Sequence, residues 1–124
     1  MARNESNMSG NKRRIRGIVD ELVKNALNAG ARQIKIQIDT PPDYFQITVE
    51  DDGCGMDPKQ AEEVRAKLQQ PRREELEEYY GGLAGVTGFS SGLNIVGMMV
   101  DEAQVDSALG RGTRVRVKRW HNKV

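Results

Sequence analysis

Three side chains that could do chemistry lie close together near the N-terminus: Glu21, Asn25 and Asn28, spaced by four and three residues. In a helix that spacing stacks them on one flank. A carboxylate can take a proton, and a carboxamide oxygen can ligate a hard cation. Metal or proton work is one reading of the trio; a solvated helix edge is the other. A second set is Asp51-Asp52-Gly53-Cys54-Gly55-Met56. Two glycines in three positions let the backbone turn sharply and approach a ligand closely. Asp51 can accept a hydrogen bond from a ligand's amino group. Read alone, the same run is an ordinary strand-to-helix turn. A third set, Gly88-Phe89-Ser90-Ser91-Gly92-Leu93, opens an apolar segment. Orphan N–H groups at a helix start attract anions, and Gly and Ser let a phosphate come close. The fourth set, Gly110-Arg111-Gly112-Thr113, is by itself only a turn. The third glycine of a dinucleotide fingerprint is missing after Gly55, and no Walker loop occurs.

The elements that must hold these sets can be read from periodicity. Ile15, Ile18, Val19, Leu22, Val23, Ala26 and Leu27 recur at helical steps, and Gly30 stops the run. Ile34, Ile36 and Ile38 alternate with polar residues, as do Phe45, Ile47 and Val49, which predicts two half-buried strands. Thr40 to Asp43, with two prolines, joins them as a hairpin. Asp57-Pro58 caps a helix over Lys59 to Gln69, ended by Pro71. Arg72 to Tyr80 is charged and helix-prone, and Gly81 to Gly92 is too rich in glycine for a regular element. Leu93 to Val100 is apolar nearly all round and predicts a buried helix. Ala103 to Ser107 and a strand through Val115 and Val117 complete the chain. The pattern predicts an α+β, two-layer sandwich: helices on one face of a four-stranded, mostly antiparallel sheet. Strand order does not follow from pattern.

Composition narrows the function classes. The chain has 124 residues, one domain's worth, with 37% hydrophobic and 30% charged residues. Nineteen Lys+Arg balance eighteen Asp+Glu to a net charge of +1, so no basic excess argues for nucleic acid. One cysteine, Cys54, excludes an internal disulfide. One histidine, His121, and that cysteine cannot build a zinc cage, and a histidine outside the core does not suit a Ser-His-Asp triad. No apolar run reaches membrane-spanning length and no signal peptide is recognisable, so a cytoplasmic location is expected. Residues 1–13 read as a flexible polar tail, 14–120 as the domain and 121–124 as a short C-terminal tail.

Taken in order, Glu21-x-x-x-Asn25-Ala26, Asp51-x-Gly53-x-Gly55, Gly88 to Gly92-Leu93 and Gly110-x-Gly112-Thr113 resemble the four ATP-binding boxes of the GHKL superfamily. That superfamily includes gyrase, Hsp90, histidine kinases and MutL, and shares the Bergerat ATP-binding fold. ELVKNALNAGA from Glu21 and DDGCGM from Asp51 resemble the MutL branch. From Ser91 onward, SGLNIVGMMVDEAQVDSALGRGTRVRVKRW is similar to the anti-sigma-factor serine kinases. The longer His-Gly-Gly connection usual in histidine kinases is absent.

The resemblance implies a minimal Bergerat domain binding ATP and Mg²⁺. It implies Glu21 as general base and Asn25 as the Mg²⁺ ligand, with Asn28 beside them in the nucleotide site. Asp51 would read the adenine amino group with help from Thr113, and Gly53, Gly55 and Met56 would form the base pocket. Gly88, Ser90, Ser91, Gly92 and Leu93 would cradle phosphates, and residues 72–88 would be the ATP lid. This chain departs from many relatives at Asp52, where Asn is common, and at Ser90, where Gly is usual. The leading expectation is a protein serine/threonine kinase of the anti-sigma or switch type. The alternatives are an ATP-hydrolysing or nucleotide-sensing regulatory subunit and a detached histidine-kinase catalytic domain. A protein partner, as phosphoacceptor or regulated protein, is expected, and a second copy of the chain is a further candidate; neither nucleic acid nor membrane is.

Overall fold

The computed structural model describes residues 2–71 and 92–121. Helix α1 spans Ala2–Asn28. Its apolar stripe is driven inward, with Ile18, Leu22 and Ala26 buried. Its end is set by Gly30 at φ 77. The Ala31 N–H donates to the Ala26 carbonyl at 3.1 Å and the Gly30 N–H to that of Leu27 at 3.0 Å, a Schellman closure that needs the left-handed residue. Within residues 1–13, expected as a flexible polar tail, the chain is helical from Ala2 onward. Nucleation is the costly step of helix formation, and residues 14–28 have already met it. Residues 2–13 contain no proline to break the helix, which continues backward through them.

Strands β1 (Ile34–Asp39) and β2 (Tyr44–Asp51) form the expected hairpin. Helix α2 runs Pro58–Leu68. Asp57 caps it by accepting from the Gln60 N–H at 2.8 Å, while the Gln60 side chain accepts from the Asp57 N–H at 3.1 Å. Helix α3 is Gly92–Met99, followed by β3 (Glu102–Ser107) and β4 (Thr113–Trp120). The sheet order is β1-β2-β4-β3, every neighbour antiparallel. The two hairpins thus join through β2 and β4, which become the central strands.

The core lies between the inner face of this sheet and the helices. Phe45, Ile47 and Val49 of β2, Ala103 and Val105 of β3, and Val115 and Val117 of β4 meet Ile18, Leu22, Leu68, Ile95, Val96 and Met99. α1 packs on β2 and α3, and α2 on β3 and α3. Helix α3 is apolar all round because it is enclosed; Gly97 has the Lys67 carbonyl where a side chain would stand. The buried Arg119 donates to the Met99 carbonyl at 3.0 Å, placing a cation at the C-terminus of α3.

Candidate functional site

Alternation along three strands places a polar cluster at one end of the sheet. In β2 the inward positions Phe45, Ile47 and Val49 continue to Asp51; in β3, Ala103 and Val105 continue to Ser107; in β4, Val117 and Val115 lead back to Thr113. Asp51 pairs with Thr113 across β2–β4, and Ser107 pairs with Thr113 across β3–β4. The three residues therefore stand side by side on the helix-facing side, just beyond the apolar core. A cleft of about 390 Å³ opens over this end of the sheet, lined by Asp51, Ser107 and Thr113 and also by Glu50, Asp106 and Arg114 of the open face.

Hydrogen bonding sets the polarity of the cluster. Asp51 Oδ1 accepts from the Gly53 N–H at 2.8 Å. Ser107 Oγ accepts from the Met56 N–H at 2.9 Å, lies 3.0 Å from the Gly112 carbonyl and 2.7 Å from Thr113 Oγ1. A serine has one proton to donate. The Gly112 carbonyl can only accept, so Ser107 donates to it and the Thr113 hydroxyl donates to Ser107. Thr113 then offers lone pairs, as Asp51 does. Two acceptors side by side suit an amino group on a ligand. Ser107 is a site residue that the motif reading did not single out; its signal was its place in the alternation with Ala103 and Val105.

The loop after β2 is clamped on both sides. Asp52 Oδ1 accepts from the Arg32 N–H at 2.7 Å and the Gln33 N–H at 3.0 Å. Those two donors, Gln33 foremost, hold its carboxyl below the usual carboxylate range. The Cys54 N–H donates to the Ala29 carbonyl at 2.9 Å, and the Gly110 N–H to the Cys54 carbonyl at 2.8 Å. Gly55 has φ 72, and the Ala108 carbonyl occupies the place where a Cβ would stand. A side chain there is excluded by both conformation and space. Gly53 is buried, and the half-buried Met56 packs against the core. The Asp51 box, the end of α1 and the Gly110-Thr113 turn thus form one continuous wall. Asp52 ties this loop to the entry of β1.

Glu21 lies at the other side of the site. It is 3% exposed, and Lys24 Nζ stands 3.2 Å from Oε1. Its carboxylate occupies the position a Cβ on Gly92 would take. Gly92 is the first described residue of α3. Asn25 is half-buried one turn after Glu21, and Leu93 is half-buried against the core. Asn28 is exposed. Gly88, Ser90, Ser91 and the expected lid over residues 72–88 lie outside the described residues.

Residues 10–122 match the family described as histidine kinase-, DNA gyrase B-, and HSP90-like ATPase. The chain belongs to this family. It is an ATP-binding domain of the GHKL type, and its antiparallel sheet with helices on one face is consistent with the Bergerat fold. A 45-residue stretch is 56% identical to the DNA mismatch repair protein MutL of Desulforudis audaxviator, covering 36% of this chain and 8% of that protein. The chain therefore matches only a small part of that relative's length. Neither match bears on the likeness of residues 91–120 to anti-sigma-factor serine kinases. No described helix is long and apolar enough to cross a membrane.

The site suits the nucleotide that this GHKL family binds. At Gly92 and Gly55 the absence of a side chain lets the Glu21 carboxylate and the Ala108 carbonyl approach the backbone closely. Among the described residues no group of three His, Cys, Asp or Glu could hold a metal.

Proposed function

We propose that this GHKL domain transfers the γ-phosphate of ATP to a hydroxyl on a partner protein, with Glu21 as the general base. The observation that carries this is the buried Glu21 carboxylate against the first described residue of α3. Helix N-termini attract phosphate, so a base held there stands beside the group to be transferred. Burial keeps it from wandering, and Lys24 is one of its partners. Asp51 and Thr113 accept from the adenine amino group, Gly53, Gly55 and Met56 shape the base pocket, and Asn25 ligates the metal. Mg²⁺, when bound, neutralises phosphate charge. Phosphoryl transfer needs mainly positioning and charge neutralisation, so this short set is sufficient. The likeness of residues 91–120 to anti-sigma serine kinases supports a serine or threonine as acceptor.

The MutL identity favours a second reading, in which water is the acceptor and the domain is an ATP-driven switch within a larger assembly. One assay separates the two. Purified protein is incubated with γ-labelled ATP, alone and with proteins from its native source. Label on a protein hydroxyl supports the kinase; release of free phosphate with no labelled protein replaces it with the hydrolytic reading. Absence of both products, with ATP still bound, rejects Glu21 as a working base.

A further inference from the structure

The two edges of the sheet are finished differently. On β3, side chains of α2 cover the outer backbone: Arg65 donates to the Val105 carbonyl through Nε at 3.2 Å and Nη2 at 2.8 Å, and Gln69 donates to the Ala103 carbonyl at 2.9 Å. Among the described residues β1 has no such cover, and no hydrogen bond reaches its outer backbone edge. Its inward stripe begins well, with Ile34 packed against the core, but Ile36 is 46% exposed and Ile38 is 45% exposed. An uncovered edge strand with apolar side chains is a template for another strand.

We propose that this edge pairs with β1 of a second copy of the chain, antiparallel, about a two-fold axis at Gln37. The sequence of the strand is complementary to itself in that register. Ile36 falls opposite Ile38, and Lys35 opposite Asp39, on both sides of the axis. Residues directly opposite in an antiparallel pair share a face. The four isoleucines therefore meet on the helix side, and the two Lys–Asp pairs on the open side. A slip of one residue would set the isoleucines against Lys35 and Gln37, on the wrong face. Slips of two residues keep the face but lose the Lys35–Asp39 match. The result is an isologous dimer with one continuous sheet, and the polar cluster of Asp51, Ser107 and Thr113 belongs to each copy by itself.

The test is sedimentation velocity on the full chain from about 1 μM to about 1 mM, where small interfaces associate. Wild type should show a concentration-dependent monomer–dimer equilibrium. Lys35→Asp sets like charges opposite twice and should weaken association at least about tenfold; Asp39→Lys should do the same. The double swap, Lys35→Asp with Asp39→Lys, should restore the dimer to near the wild-type constant. Lys35 is on the solvent side, and circular dichroism checks that each variant is folded. A wild type that stays monomeric throughout overturns the proposal and leaves the edge to another protein's strand. A dimer indifferent to both single swaps, or one that the double swap fails to restore, overturns it as well.

Discussion

The Glu21 carboxylate stands where the side chain of residue 92 would be, so α1 and the start of α3 interlock through the absence of a Cβ at Gly92. Gly92→Ala should therefore act on two levels. Overpacking of a buried site costs about 1–3 kcal/mol. It should also push Glu21 away from the α3 N-terminus and abolish turnover. Adding Glu21→Ala to Gly92→Ala removes the clash. Thermal melts should show the double variant regaining stability over Gly92→Ala while remaining inactive. A melt of Gly92→Ala equal to wild type would refute the interlock.

Glu21 and Asn25 share a helix flank but carry different proposed jobs. Glu21→Ala should bind Mg²⁺-ATP nearly as wild type does and lose about 10²- to 10⁴-fold in turnover, because a base acts mainly in the transition state. Asn25→Ala should weaken ATP binding in the presence of Mg²⁺ and leave metal-free binding almost unchanged. Nucleotide titrations with and without chelator, beside single-turnover rates, measure both. Full activity in Glu21→Ala would reassign the base.

Ser107 is expected to determine base selectivity through Thr113. With Ser107→Ala the Thr113 hydroxyl loses its acceptor and can turn its proton toward the ligand. Discrimination of ATP over GTP should fall about tenfold, in line with one misdirected hydrogen bond. A purely structural role would weaken both nucleotides equally. Thr113→Val should produce a similar loss, and the double variant should add nothing to it. Additive losses would separate the two residues.

Asp52 makes a pH-dependent contribution of known sign. Its carboxyl is held below the ordinary value of 3.8 by the Gln33 and Arg32 N–H groups. The folded state thus prefers the ionised form. The resulting stability is complete above pH 3.8 and is lost as pH falls through the lower, folded value. Asp52→Ala should melt below wild type at pH 7. The gap should narrow under acid conditions and close once Asp52 is protonated in both states. A constant gap down to the acid limit would mean that the carboxylate's charge is not what holds the loop.

Local pattern was enough to assign most elements and the order of the boxes. The isoleucine and valine alternations named the strands, the stripe from Ile15 to Leu27 named the C-terminal half of α1, and Asp57-Pro58 marked the start of α2. These signals are local, because side-chain period follows directly from backbone geometry. They failed where the cost of a structure depends on its neighbour in the chain: residues 2–13 have no apolar stripe of their own, and the helix extends through them from a nucleus further along.

The residue types at Glu21, Asn25, Asp51, Gly55 and Thr113 were also legible, since a box is a short run of sequence. Their company was not. That Asp51 faces Thr113 follows from β2 pairing with β4, a choice between strands more than sixty residues apart, and no periodicity within either strand encodes it. The same pairing, with β3, turns Ser107 from a strand residue into the partner that directs the Thr113 hydroxyl. The Asp52 clamp on residues 32 and 33 and the Glu21–Gly92 interlock likewise join segments distant in the chain. The sequence by itself determined which elements form and which side chains are capable of chemistry, because both depend on near neighbours. Only the tertiary structure decided which of those side chains meet and in what polarity, because packing of the whole core selects one set of long-range contacts.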